Sequence, residues 1–522
     1  MTLMLTLGTA AFGAQKTLPS GKDTGSINVT NLKPGDTVTA YQFVKADYNE
    51  YGFTGYSAIN NYVKDPVAPT AQEVIDMASN AATMTVAAEK KVATGDTEVT
   101  LNGLPVGYYL VMVTSGSETV YSPMIAGIYY SKSATDNTLT NGAISADSDF
   151  EIKAQKCWAK SSTPKLEKTI VTPSSKNSKG DDIAIGDKIT FNLSATVPSY
   201  SKEYKKVTYK IYDIMSEGLD YVDGSMKCFI EKYENNRENI KATPKVNGGI
   251  IEITFDSKFI LEHPGQKIQV EYQAKLNEKA GVNFDANINK AYLKYSNNPA
   301  SGSTAKTGED KVYVYTFGID SNLFGKSTEK WNEKTKELIK VEEGEYQWGE
   351  TEKESGIFTT TTALEGATFT LTNNKTKKSY TATSDKYGYL KFTGLDAGEY
   401  TLQETDAPDG FTLNDAKHTV VITAEYNQDG TLKSYTIKID DKATSTYTAT
   451  YDKGVIKTIT STKDSQGNIS ESAILKNSKM SFLPSTGGVG TTIFAIVGVV
   501  FVAAALGLHM ILRGKSKLEQ DR

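Results

Sequence analysis

Ile268-Gln269-Val270-Glu271-Tyr272-Gln273-Ala274-Lys275-Leu276 sets an apolar or aromatic side chain at every second position, with a polar one between. A period of two marks a strand with one face buried and the other wet. Ile189, Phe191, Leu193 and Ala195 alternate in the same way earlier in the chain. Asn247-Gly248-Gly249, between two more strand-like runs, is a hairpin signal, since a two-residue turn there needs the positive φ that Asn and Gly adopt readily. Outward from this centre, short strands separated by turn signals continue in both directions. The chain is therefore expected to be all-β, built as tandem β-sandwiches.

At 522 residues the length corresponds to roughly three or four domains. Hydrophobic residues make up 39% and the mean hydropathy is -0.39, so cores can form in a largely soluble chain. The net charge of -5 is spread over both signs, with no basic stripe for nucleic acid and no acidic tail. Tyrosine (30) exceeds phenylalanine (18), a bias suited to half-exposed pleated surfaces. Two cysteines, Cys157 and Cys228, are too few for a disulfide framework, and the sequence leaves open whether they pair. His263, His418 and His509 are scattered, and no nucleophilic-triad, metal or phosphate-loop spacing occurs. No turnover enzyme, cofactor or metal site is expected.

Three units follow. Residues 15–160 hold Ser26 to Thr30, Thr37 to Tyr41 and Val99 to Leu101 as strands, Lys33-Pro34-Gly35-Asp36 as a turn, and one helix. The helix is marked by Thr70 and Glu73 as a capping box ahead of Val74, Ile75 and Met77. Residues 163–310 form a middle unit that runs into a Ser/Thr/Gly-rich stretch from Gly302 to Asp310, read as a linker. Residues 311–480 form the third, with strands at Ala367 to Leu371, Glu399 to Gln403, Val420 to Ala424 and Tyr435 to Ile439. Its polar stretch from Lys326 to Thr362 reads as a long surface loop. Gly103-Leu104-Pro105-Val106-Gly107-Tyr108-Tyr109 is repeated as Gly394-Leu395-Asp396-Ala397-Gly398-Glu399-Tyr400, which implies that units one and three share a fold.

Both ends carry segments of another kind. Residues 1–14 are apolar and small and uncharged until Lys16, as in the apolar part and cleavage site of a secretory signal, here without its basic leading region. Residues 491–512 contain no Asp, Glu, Lys or Arg and are long enough to cross a bilayer as one helix. Arg513, Lys515 and Lys517 put the tail, residues 513–522, in the cytoplasm. Just ahead stands Leu483-Pro484-Ser485-Thr486-Gly487. Motif, span and basic tail together resemble the cell-wall sorting signal of Gram-positive surface proteins, in which a sortase cuts between Thr and Gly of LPxTG. The resemblance implies cleavage at Thr486–Gly487, a transient membrane precursor, and attachment to peptidoglycan at the cell surface.

Tyr400-Thr401-Leu402-Gln403-Glu404-Thr405-Asp406-Ala407-Pro408-Asp409-Gly410-Phe411 resembles the "E-box" of CnaB-type immunoglobulin-like domains of Gram-positive pilins and adhesins. In that family a buried acid promotes a spontaneous amide bond between Lys and Asn side chains. Burial favours the neutral amine and neutral acid, and the sandwich core holds the reactants together. Carried over, Glu404 is the acid, Asn477 the amide, and Lys340 the amine, with Lys326 as the alternative. The segment Thr316 to Leu323, where the family keeps its Lys, has none.

In the middle unit Leu166-Glu167-Lys168-Thr169-Ile170, Tyr212-Asp213-Ile214-Met215-Ser216-Glu217-Gly218-Leu219 and Asn289 to Pro299 are similar to the corresponding segments of middle pilin domains. By that resemblance Lys168 is bonded to Asn289, with Asp213 as the acid. In the first unit the repeat sets Val113 where Glu404 stands, so no such bond is expected there. Finally, Cys157-Trp158-Ala159-Lys160-Ser161 loosely resembles the pilin motif whose Lys attacks the sortase-bound Thr of the next subunit, with Lys156 and Lys165 as neighbours of Lys160.

The resemblance as a whole implies the major subunit of a covalent sortase-assembled pilus serving adhesion. Thr486 of one copy would be joined to Lys160 of the next. Its partners would be sortases, identical subunits and peptidoglycan, with minor pilins and a host surface ligand beyond them. A singly anchored adhesin with CnaB-type stalk domains is the alternative.

Overall fold

The computed structural model describes residues 18–479 apart from 116–117, 132–142, 145–149, 172–176, 234–235, 320–328, 333–336, 341–350, 355–357, 362–364, 385–389, 441 and 463–477. The leader, Lys326, Asn477, the LPSTG motif, the apolar span and the basic tail all lie outside the described residues. Among the described residues no helix is long and apolar enough to cross a membrane.

In the first unit Thr24–Thr30 lies between Cys157–Trp158, parallel to it, and Glu98–Pro105, antiparallel. A larger sheet runs in the order Gly52–Ala58, Thr37–Asn49, Gly107–Thr114, Met124–Ser131, Glu151–Ala154, with Val86–Lys91 also paired to Thr37–Asn49. Ile27 and Val29 of the small sheet share a core with Val38, Tyr109 and Val111 of the large one. The helix Ala71–Ser79 has both halves of the expected capping box, Thr70 and Glu73. It covers the other face of the large sheet, where Met77 and Ala78 pack with Tyr108 and Leu110. Gly107–Thr114 is thus enclosed on both sides, and its unbroken apolar run is the consequence.

The middle unit is a sandwich of two sheets. One runs Leu166–Ile170, Lys188–Thr196, Lys267–Leu276, Lys227–Tyr233, Asn236–Ile240. The other runs Gly180–Asp182, Asp310–Tyr315, Asn287–Asn298, Tyr209–Met215, Ile250–Thr254, Thr243–Asn247. The inward residues of both sheets form one core. The hairpin is where its signal lay: Asn247 pairs with Ile250 across Gly248 and Gly249, at φ 54° and 79°. The linker reading of Gly302 to Asp310 is corrected. Ser303–Lys306 pairs back onto Asn287–Asn298, and Asp310–Tyr315 is a strand of this sandwich. Ser, Thr and Gly here build a tight hairpin return at Gly302 (φ 73°), not a spacer.

The third unit has a seven-stranded sheet in the order Ser379–Thr383, Thr368–Asn373, Gly398–Asp406, Lys417–Tyr426, Leu432–Ile439, Lys442–Asp452, Val455–Thr462. Two short pairs accompany it, Phe317–Ile319 with Phe392–Leu395 and Phe411–Thr412 with Ser478–Lys479. The reading of Lys326 to Thr362 as a loop is also corrected. Glu329–Asn332, Glu337–Lys340, Thr351–Glu354 and Phe358–Thr361 pair as a separate four-stranded sheet. Thr, Trp and Phe supply strand propensity there without a two-residue apolar period to announce it. The repeat holds in detail. Gly103 and Gly394 both turn at positive φ (70° and 77°), and each Tyr hydroxyl donates to the carbonyl four residues back, Tyr109 to Pro105 and Tyr400 to Asp396.

Units two and three meet without a spacer. Tyr315, in a strand of the second sandwich, belongs to the core of the third, and its hydroxyl accepts from Leu432 N–H. A Cβ on Gly180 would come within 2.2 Å of the Gly430 carbonyl.

Candidate functional site

The alternation in Leu166–Ile170 turns Lys168 inward between Leu166 and Ile170, where an apolar side chain would be ordinary. Lys168 is fully buried. On the facing sheet the same alternation turns in Asp213, on Tyr209–Met215, and Asn289, on Asn287–Asn298; neither has any exposed surface. Those two strands are neighbours in register, Met215 opposite Asn289 and Asp213 opposite Ala291. The three residues named from the sequence are therefore brought together, with Lys168 on one sheet and its two partners on the other.

Lys168 Nζ donates to Asp213 Oδ2. The fourth member is Tyr272, whose ring is wholly enclosed. Its hydroxyl donates to Asp213 Oδ1 at 2.7 Å and accepts from Asn289 Nδ2 at 2.7 Å and from Lys168 Nζ at 3.1 Å. The amine and the amide nitrogen thus share one oxygen. Nζ also lies 4.9 Å from the Phe191 ring centre and 5.2 Å from that of Tyr272. Asn289 Oδ1 is buried and has no hydrogen-bond partner, a costly state for a carbonyl. Burial pushes the Lys168 ammonium below its ordinary range, opposed by the attraction of Asp213. Burial also pushes the Tyr272 phenol well up, so it stays neutral.

Tyr272 escaped the sequence reading because it passes as one more large residue in an apolar alternation. The available signal was that it is the only inward member of Ile268 to Leu276 with a polar tip. A second layer was equally silent. Asp310 Oδ2 accepts from Lys168 N–H at 2.7 Å and from Lys179 Nζ at 2.6 Å, and Lys179 Nζ also donates to the Lys168 carbonyl at 2.7 Å. The main chain of Lys168 is clamped from both sides.

In the third unit Glu404 is buried on the inward face of Gly398–Asp406 with Tyr400 and Leu402, and it accepts from Asn414 N–H at 2.7 Å. Lys340 closes the strand Glu337–Lys340. The equivalent position in unit one, Val113, is buried and apolar.

Lys160 is exposed, on a segment whose backbone is held on both flanks. Ala159 N–H donates to Thr30 O at 3.0 Å, and Asn31 Nδ2 donates to Ala159 O at 2.7 Å. Ser122 N–H donates to Lys160 O at 3.0 Å, and Ser161 pairs with Tyr121. Trp158 is 70% exposed. Cys157 and Cys228 are both buried, unpaired and in different units, and burial pushes each thiol up to about 11.

Comparison with known proteins follows the same divisions. Residues 22–161 match the T6 antigen Ig-like domain, residues 357–438 the SpaA prealbumin-like fold domain, and residues 476–517 the LPXTG cell-wall anchor motif. The chain is 26% identical over 549 residues to the trypsin-resistant surface T6 protein of Streptococcus pyogenes serotype M6, covering 95% of this chain and 96% of that one. Among solved structures, the T6 backbone pilin of serotype M6 S. pyogenes is similar with a TM-score of 0.58 at 21% identity, over 89% of this chain and 100% of that one. The full-length major pilin SpaD of Corynebacterium diphtheriae aligns over 89% of this chain and 99% of that one, with a TM-score of 0.48 at 16% identity. The T6-type Ig-like domain, the prealbumin-like domain and the LPXTG wall anchor occur in one chain and in that order, an arrangement that makes the chain similar to the sortase-assembled backbone pilins, structural subunits attached to the Gram-positive cell wall.

Proposed function

We propose that this chain is the repeating subunit of a covalent pilus whose middle sandwich is closed by an amide bond between Lys168 and Asn289, with Asp213 as the promoting acid. The observation that carries the reading is the burial of an amine, an acid and a carboxamide around one hydroxyl. In an apolar core such a set is expensive unless it reacts. Burial biases Lys168 toward the free amine, which attacks the Asn289 carboxamide carbon, while Asp213 takes up the amine's proton. The sandwich supplies the encounter.

By the same logic Glu404 promotes a bond between Asn477 and Lys340, or Lys326 in its place, in the third unit. Val113 leaves the first unit without a promoting acid. Lys160, exposed on a segment with a fixed backbone, takes the Thr486 carboxyl that a sortase delivers, so that stiffness within subunits and length between them come from the same kind of bond. Minor pilins and a host surface ligand complete the partner set.

Two measurements test this. Each intradomain bond releases ammonia, so the purified ectodomain should be lighter than its residues by about 17 Da per bond, with the loss from the middle unit mapped to a Lys168–Asn289 peptide. Denaturing gels of wall extracts should show a high-mass ladder that Lys160→Ala abolishes. A full-mass ectodomain would overturn the intradomain bonds, and a single band at one subunit's size would overturn the polymer and favour the singly anchored adhesin.

A further inference from the structure

The acid and the amide of the middle sandwich share no hydrogen bond. The hydrogen bonds of Asp213 run to Lys168 and Tyr272, and the one from Asn289 Nδ2 runs to Tyr272. Yet an amide nitrogen leaves only after it gains a proton, so the reaction needs a path from the acid to Nδ2. The Tyr272 hydroxyl is the atom that joins them, at 2.7 Å from each. It cannot swing away: its ring is held against Phe191 at 5.5 Å and Tyr221 at 5.9 Å between centres.

We propose that Tyr272 is a catalytic residue of bond formation, relaying to Asn289 Nδ2 the proton that lets it depart as ammonia. This rests on the reading of Lys168 and Asn289 as the reacting pair. Lys168 Nζ, as the neutral amine, forms a bond to Asn289 Cγ, and the carbonyl π electrons move onto Oδ1. A proton from Nζ passes to Asp213, and an equivalent proton passes from Asp213 to the Tyr272 oxygen as the Tyr272 hydroxyl proton moves to Nδ2. The Cγ–Nδ2 bond then breaks as the carbonyl re-forms. Lys168 keeps one proton as the new amide N–H, Nδ2 leaves as NH₃, and Asp213 and Tyr272 return to their starting states. The balance needs no outside reactant.

The test uses the full ectodomain made in a cell-free system, sampled over time by intact mass and by mapping of the 168–289 cross-linked peptide. Wild type, Tyr272→Phe and the unreactive Asn289→Ala are compared. The expected result is that wild type bonds promptly while Tyr272→Phe bonds about 100-fold more slowly, within the usual range for loss of a general acid. Its unreacted form should melt with Asn289→Ala, which separates loss of chemistry from loss of fold. If Tyr272→Phe bonds as fast as wild type, the relay is overturned and the Lys168–Asn289 reading stands. If wild type itself never bonds at these residues, both fall. Should Tyr272→Phe fail to fold, 3-fluorotyrosine placed at 272 keeps the ring's shape and makes the hydroxyl more acidic. A changed bonding rate is then expected, and an unchanged one overturns the relay.

Discussion

At the scale of single residues, the buried set distinguishes loss of a bond from loss of a partner. Asn289→Ala removes the acceptor carbon but leaves Lys168 paired with Asp213. It should cost mainly the crosslink, which would close a loop of about 120 residues and so stabilise by about 5 kcal/mol in the chain-entropy account. Lys168→Ala forfeits the same crosslink and also leaves Asp213 without its cation in a core that admits no water to its surface. A further loss of about 3 kcal/mol is expected. Denaturant unfolding of the two variants should rank them in that order. Equal stabilities would mean that the buried Lys168–Asp213 pair contributes nothing beyond the crosslink.

At the scale of elements, the short segment bearing Lys160, between Cys157–Trp158 and Ser161–Ser162, is notable for how its backbone is fixed while its side chain is exposed. Asn31 helps to fix that backbone in two ways. It turns at φ 64°, a conformation Asn tolerates better than Ala, and its side chain holds Ala159 O at 2.7 Å. Asn31→Ala should lower the stability of the first unit by about 1–2 kcal/mol, the sum of one hydrogen bond and a strained turn. It should also shorten the pilus ladder without abolishing it, since Lys160 itself is retained. An unchanged ladder from a measurably looser first unit would mean that the presentation of Lys160 is not set by this clamp.

At the scale of the whole molecule, the second and third sandwiches are joined through a polar contact. Half-buried Asp182 accepts from Tyr426 OH at 2.6 Å and from Ala397 N–H, both in the third unit. Lys378 Nζ reaches back to Asp187 Oδ1 at 3.2 Å, and Asn177 Nδ2 to Asn427 O at 2.6 Å. Burial raises Asp182 to about 6, against the two hydrogen bonds that favour its charge, and the nearby Asp181 and Asp396 raise it further. An acid that binds its proton more tightly when folded makes the folded state less stable as pH climbs from the unfolded value to the folded one. The junction should therefore tighten as pH is lowered from about 7 to about 4, with the change centred between 4 and 6. Asp182→Asn should flatten that dependence. Protection factors at Ala397 and Tyr426, with exchange corrected for its intrinsic pH dependence, read this across the range, and protection that falls on acidification would contradict the account.

Several features of this protein were legible without coordinates because their physics is local. Alternation assigns a face to each strand residue, so the inward turn of Glu404 follows from Tyr400 and Leu402, while Lys168, Asp213 and Asn289 were singled out by the resemblance of their segments to middle pilin domains. A wall-sorting motif, an apolar span and a capping box likewise declare themselves in a few consecutive residues. Alternation does not say which strand lies beside which. Only the pairing of distant strands sets Lys168 and Tyr272 on one sheet opposite Asp213 and Asn289 on the other, and only it turns Gly302 to Asp310 from a spacer into part of a sandwich. Tyr272 was hidden for that reason: the role of a hydroxyl depends on what it meets across the core, and Lys168 and Asp213, 104 and 59 positions away, meet it only once the sheets have packed.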